Sequence, residues 1–323
     1  MKVSVVIPTV DREKPLLDAV IASAEQIGAL GAGEIVVVDN SANGRQSWIV
    51  PETTSKLPNS VELRYVAEQR PGLAYARNKG VAEARGEFVV FLDDDELPRT
   101  GWLAALMSAM EESGADAAFG AVIPTFERRP ERLADFIGRR FTRNLNAARH
   151  EDVSARYNYL GTGNSCFCVA TCFDETKPPF DPRFNETGGE DTDLLRRLFF
   201  AGKKLVWAGD AIVEEFVPTS RTTLASMCNR RFAQGQIRTL LHVASSPKRY
   251  DKAAFWMAVG AAQFGGYSLL AAANTLLNKR EKADASRVKA QGGLGKVLWQ
   301  FYSALTLQNT YSHNSLRILT VRI

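Results

Sequence analysis

Four short apolar runs mark the first 92 residues, at 3–7, 34–38, 61–66 and 87–92, and amphipathic stretches alternate with them. Each run is too short for a helix and rich in valine, isoleucine, leucine or phenylalanine, so each reads as a strand. Residues 15–29 put Leu16, Leu17, Val20, Ile21 and Ala24 on one helical face, and residues 73–84 make a second helix. Strand, helix, strand, then strand, helix, strand is the rhythm of parallel α/β units. Their crossovers are right-handed, and their ligands collect at the carboxyl ends of the strands. Thr9, Asp11, Asp39 and the run Asp93, Asp94 and Asp95 all follow strand ends. Unrelated acidic loops would scatter over both edges of the sheet, whereas these fall on one.

Three carboxylates in a row repel one another at neutral pH, and a hard divalent cation with oxygen ligands is the simplest compensation. Taken alone, the run fits an exposed acidic turn or helix start equally well. Further along, residues 101–113 read as a helix, 117–123 as a strand, and 161–165 as a glycine-containing loop before a strand-like stretch at 166–170. Residues 124–159 are rich in arginine and yield no clear element. A second acidic group, Glu190, Asp191 and Asp193, leads into a helix at 194–201 that Gly202 closes. Any of the three suits a general base, and a helix start helps keep them ionised.

With 323 residues and 45% hydrophobic content, the chain can bury one core with an appended helical subdomain. Forty basic against thirty-six acidic residues, with no basic stripe interleaved with aromatics, predict no nucleic-acid partner. Cys166, Cys168, Cys172 and Cys228 do not form a disulfide framework in a chain this long. His150, His242 and His313 lie too far from them in sequence for a zinc site, so core thiols in a reducing compartment are expected. Met1 and Lys2 run straight into the first strand without a secretory signal, which predicts a cytoplasmic catalytic part.

Five segments, in order, resemble family 2 glycosyltransferases of the GT-A fold. They are Val5-Val6-Ile7-Pro8-Thr9 with Asp11-Arg12, Val37-Val38-Asp39-Asn40-Ser41, Ala76-Arg77-Asn78-Lys79-Gly80, Phe91-Leu92-Asp93-Asp94-Asp95 and Gly189-Glu190-Asp191-Thr192-Asp193-Leu194. Within the family the chain is most similar to bacterial exopolysaccharide enzymes of the succinoglycan type. The resemblance implies a Rossmann-like, mostly parallel sheet flanked by helices over residues 1–245, and a helical, membrane-associating region over 246–323. It implies a UDP-sugar donor whose nucleotide meets Thr9, Asp11, Asp39, Arg70, Arg77, Asn78, Asp93 and Asp94, with Asp39 accepting the uracil ring N–H. Asp93 and Asp95 match the metal pair, which would hold Mn²⁺ or Mg²⁺ against the diphosphate. Asp191 matches the catalytic base of an inverting transfer, with Trp102, Gly161, Thr162, Gly163, Asn164 and Glu190 near the donor sugar and acceptor. Trp102 fits core packing as well.

The chain also departs from the family pattern. Val10 stands where an aromatic residue is common, and Glu215 stands near a position where a histidine often completes the metal site. Glu215 reads either as a substitute ligand or as a solvated strand-end acid. Arg230 and Arg231, in place of a Gln-x-x-Arg-Trp element, favour single addition over polymerisation. They would contact the diphosphate from a lid or lie on a basic helix face.

No charge occurs in residues 253–278, and Lys248, Arg249, Lys252, Lys279, Arg280 and Lys282 flank them. This stretch is long enough to span a bilayer, but Gln263, Ser268 and Asn274 interrupt it and the Gly265-Gly266 pair could divide it into two helices. A second stretch, 297–307, with Trp299, Phe301 and Tyr302, suits a membrane interface. Attachment to the cytoplasmic membrane surface is expected, on the inner side, which suits a lipid-linked saccharide acceptor. A helical subdomain packed on the enzyme is the plainer alternative. Two competing functions are a non-catalytic nucleotide-sugar-binding component of a membrane assembly and a metal phosphohydrolase.

Overall fold

Why the chain folds as it does is clearest in its strands. In the computed structural model, which describes residues 2–174, 176–185, 187–244 and 247–300, the apolar runs form β1 (Val3–Thr9), β2 (Gly33–Asp39), β3 (Val61–Ala67) and β4 (Phe88–Phe91). Between them lie α1 (Glu13–Leu30), the short α2 (Ile49–Thr53) and α3 (Leu73–Glu83). There follow β5 (Glu96–Pro98), α4 (Trp102–Ser113), β6 (Ala117–Phe126), α5 (Ala134–Phe141), β7 (Ser165–Cys168), α6 (Val169–Cys172), α7 (Glu190–Phe200) and β8 (Leu205–Val217).

The strands make one sheet in the order β3-β2-β1-β4-β7-β6-β8-β5. Its first half is parallel, with β1 between β2 and β4. In the second half, β7 runs antiparallel to both β4 and β6, and β5 antiparallel to β8. The parallel character predicted from residues 3–92 therefore belongs to the half joined by crossover helices. Antiparallel neighbours need no such helix, so the later strands carried no helical spacing to read. The strand-like stretch at 166–170 is split: the ladder ends at Cys168 and one helical turn follows.

Alternation along the strands sends side chains to two cores. Val5, Ile7, Ile35 and Val37 face α1 and α4, meeting Leu16, Val20, Leu106 and Met110. Val6, Val36 and Val38 point the other way, joining Phe91, Phe119, Phe167 and the α7 leucines Leu194, Leu195 and Leu198. Phe167 meets Phe91 and Phe119 edge to face at 6.0 and 5.6 Å. Cys166 is a buried free thiol within the sheet.

By its contacts the chain divides into two units. One comprises residues 1–125, 138–185 and 190–217, and so holds the sheet except Phe126 at the end of β6. The other comprises 126–137, 186–189 and 218–323 and contains α8 (Leu224–Ala244), α9 (Tyr250–Leu276) and α10 (Arg280–Val297). Helix α9 is continuous through Gly265 and Gly266, so the glycine pair does not divide it. No helix among the described residues is long and apolar enough to cross a membrane. Of the stretch at 297–307, residues 301–307 lie outside the described residues. On α8, Arg231 lies against Gly292 of α10.

Gly80 explains one of the family-like segments: a Cβ there would overlap Val6 Cγ1, so α3 lies on β1 at backbone distance. Gly80→Ala should cost about 1–3 kcal/mol through forced separation of helix and strand. Urea unfolding reads this directly, and an unchanged midpoint would show that the close approach is dispensable.

Candidate active site

The parallel strands end together. In register, Thr9 at the end of β1 pairs with Asp39 at the end of β2, and Leu92, just past β4, donates its backbone N–H to Val6 of β1. The Asp39 carboxylate is buried and accepts from Ser41 N, Gln46 N and the Tyr65 hydroxyl. Burial and this carboxylate push the Tyr65 phenol up to about 12. Asn40 pins the next loop, donating to the carbonyls of Glu68 and Arg70 and accepting from Gly72 N. Arg70 is tied to Glu68 and stacked over Tyr75, so it would have to leave Glu68 to meet a phosphate.

The acidic run divides among three environments. Asp94 is buried, accepts the Thr9 hydroxyl at 2.8 Å and lies 3.2 Å from the Arg12 guanidinium. Burial pushes its carboxyl up to about 7 against the pull of Arg12. Asp95 takes Arg12 Nη1 at 2.5 Å. Burial alone would lower the Arg12 pKa, but Asp94 and Asp95 outweigh it and raise it. The chain reaches this position through Asp11, whose φ of 51° lies in the left-handed region that aspartate tolerates. Asp93 is the most open of the three, with 38% of its side chain exposed.

One guanidinium joins this run to the second acidic group. Arg77, buried on α3, donates to Glu190 at 2.7 Å and to Asp93 at 3.3 Å. Glu190 is pushed up to about 7 by burial and by the adjacent Asp191 charge, and Arg77 opposes this. Asn78, one residue on, binds Phe180 through both amide groups and so holds the 178–182 loop.

Between the two acidic groups lies the 161–164 loop. A Cβ at Gly163 would stand 2.8 Å from Asp93 Oδ2 and 3.0 Å from Glu96 Oε1, and one at Gly161 3.5 Å from Asp191 Oδ2. Glycine at 163 keeps the backbone clear of the Asp93 and Glu96 carboxylates and at 161 clear of the Arg143 guanidinium, while Asp191 stands at ordinary contact distance. Thr162 is buried, and its hydroxyl has no hydrogen-bond partner. Asn164 sits wholly inside, donating to the Ala121 and Ala211 carbonyls and accepting from the Trp102 indole N–H at 2.7 Å. Trp102 and Asn164 therefore brace the loop from behind and do not line its open side. Asp191 Oδ1 accepts from Thr192 N, while Oδ2 faces the loop.

Arg143 lies in the arginine-rich stretch that yields no clear element and carries no expected role. Paired backbone hydrogen bonds with Val122 fix it beside β6. Its side chain then donates to the carbonyls of Gly120, Gly161, Gly163 and Asn164. Burial lowers its pKa, opposed by Glu96, Asp93, Asp191 and Glu215. Glu96, paired in register with Glu215 across β5 and β8, accepts from Asp93 N, and burial raises its pKa well above the usual value. No motif flags a residue that works through carbonyls some twenty positions away.

Among the described residues, no group of three or more His, Cys, Asp or Glu side chains is arranged to hold a metal alone. Asp93 and Asp95 are hard oxygen donors, and Asp93 Oδ2 lies against the loop. That donor set fits Mg²⁺ or Mn²⁺, ions that take one or two carboxylates and complete their shell with substrate phosphates.

A half-parallel sheet with carboxylates gathered at its strand ends defines a GT-A glycosyltransferase fold. It matches the mannosyltransferase PcManGT of Pyrobaculum calidifontis, solved with GDP-Man and Mn²⁺, with a TM-score of 0.57, 20% identity, and coverage of 93% of this chain and 87% of that one. The S. aureus TarS fragment 1–349, solved with UDP-GlcNAc, matches at 0.54 and 15% identity, with 91% of each chain covered. The glycosyl transferase family 2 model matches residues 4–165 and the glycosyl transferase family group 2 model residues 88–320. The chain belongs to glycosyl transferase family 2. It is 29% identical over 210 residues to the succinoglycan biosynthesis protein ExoM of Rhizobium meliloti, a match covering 62% of each chain. It is 27% identical over 157 residues to the GalNAc(5)-diNAcBac-PP-undecaprenol beta-1,3-glucosyltransferase of Campylobacter jejuni, covering 49% of each.

Removing the Arg143 clamp should take a donor from four carbonyls, of which that of Asn164 keeps the Gly120 N–H. Arg143→Ala is expected to cost on the order of 3 kcal/mol in denaturant unfolding. A cost within experimental error would show that the loop holds itself.

Proposed function

We propose that this chain is a metal-dependent, inverting hexosyltransferase. It moves a hexose from a UDP-sugar to a hydroxyl of a lipid-linked saccharide in cell-surface polysaccharide synthesis, at the cytoplasmic membrane surface. The observation that carries this reading is the Arg77 bridge, which brings Asp93 and Glu190-Asp191 to one glycine loop. TarS with UDP-GlcNAc supports the donor class, and the undecaprenol-linked substrate named for the Campylobacter relative supports the acceptor class.

In this reading Asp11 and Asp39 hold the nucleoside. Asp39 is pre-oriented by three donors, and Oδ1, which accepts one of them, keeps a lone pair for a ring N–H. When bound, Mn²⁺ or Mg²⁺ held by Asp93 and Asp95 would supply positive charge against the negative charge that grows on the diphosphate leaving group. The 161–163 backbone and the Thr162 hydroxyl face the sugar, while Trp102, Asn164 and Arg143 keep that backbone in place. Asp191 accepts the proton of the acceptor hydroxyl as its oxygen forms the new bond to the anomeric carbon. The sugar–phosphate bond breaks on the opposite face, which inverts the anomeric centre. Glu190, neutralised by Arg77, steers the donor sugar and leaves Asp191 as the free base.

Calorimetry with a UDP-sugar separates these roles. Asp95→Ala should weaken donor binding in Mn²⁺, and chelation of the metal should do the same to the native chain. Asp191→Asn should bind donor normally yet lose about 10²–10⁴-fold in kcat. Full activity in that variant would remove Asp191 from the chemistry.

A further inference from the structure

Helix α9 buries only three of its 27 residues, Ala253, Gly260 and Ala271, although it carries no charge from 253 to 278. Its inner side is fixed by neighbours in the same unit. A Cβ at Gly260 would stand 2.6 Å from the Gly293 carbonyl, Gln263 accepts from Lys296, and Arg238 lies over the Trp256 ring. Those contacts turn the opposite side outward. Ala258, Ala261, Gly265, Leu269, Ala272 and Leu276, spaced three or four apart, form one exposed stripe. Leu269 is 74% and Leu276 88% exposed, and Phe255, Leu270 and Leu277 widen the stripe. An uncharged face running from 253 to 276, about 35 Å, is unusual on a surface that meets only water.

Both ends of this face are basic. Lys248, Arg249 and Lys252 precede it with Asp251 as the one acid, and Lys279, Arg280 and Lys282 follow it with Glu281 as the one acid. Three against one leaves a net charge of +2 at each end. A second copy pairing along α9, parallel or antiparallel, would bring two such ends together and be repelled. An anionic lipid surface meets both ends favourably and offers an apolar layer to the stripe between them. The helix is not apolar enough to cross. We propose that α9 lies flat in the headgroup layer of an anionic bilayer, with its Leu269–Leu276 face toward the acyl chains. This concerns the helical unit alone and holds whatever reaction the other unit performs.

Vesicle flotation of the full chain, without donor or acceptor, tests it. Vesicles of phosphatidylcholine with phosphatidylglycerol should carry the protein up the gradient, phosphatidylcholine alone far less, and added salt should weaken the binding. The variant Leu269→Glu with Leu276→Glu changes only exposed positions, so its circular dichroism and UDP-sugar binding should match the native chain. Its vesicle affinity should fall by on the order of tenfold or more. Three results would overturn the proposal: no flotation with anionic vesicles, equal flotation of this variant, or a native dimer in light scattering that the variant converts to monomer. The last would assign the face to a second copy.

Discussion

The site depends on the Arg77 guanidinium. It is buried on α3, and it holds Asp93 from the end of β4 and Glu190 from the start of α7, elements far apart in sequence. Two carboxylates left without it would repel each other in a place where burial already disfavours their charge. With it, Asp93 and Asp191 share one rim beside the 161–163 loop. The cation thus serves as an internal counter-ion that lets acids from separate elements stand close together.

Two further cations make the arrangement specific. Arg12 neutralises Asp94 and Asp95, while Arg143 spends its donors on backbone carbonyls. The first balances charge, and the second shapes the loop against which Asp93 and Asp191 rest. The antiparallel half of the sheet supplies the platform: Asn164 ties the loop to β6 and β8, and Trp102 locks Asn164 from α4. The parallel half contributes the acids at its strand ends. Neither half makes the rim alone.

The first half was readable because burial on both faces turns a strand into an apolar run, and a crossover helix announces itself by its spacing. Asp93, Asp94 and Asp95 stood out as a run, yet their different surroundings were invisible, since each depends on a partner from elsewhere in the chain. β5 was hidden inside the same acidic stretch: three residues have no period, and only pairing with β8 makes them a strand. Trp102 and Asn78 were legible as positions but not as supports, because which way a side chain turns is decided by packing. The continuity of α9 went against its glycine pair. Gly265 and Gly266 cost about 1 kcal/mol each in helix propensity, and the packing of the flanking turns on α8 and α10 offsets that.

One glycine loop lies against carboxylates of both acidic groups. Anomalous scattering from a crystal grown with UDP and Mn²⁺ tests it most directly. One manganese peak is expected, bonded to Asp95 or Asp93 and to the diphosphate, with the diphosphate beside residues 161–163 and Asp191 unbound to metal. Manganese on Asp191, or a diphosphate bound away from that loop, would contradict it.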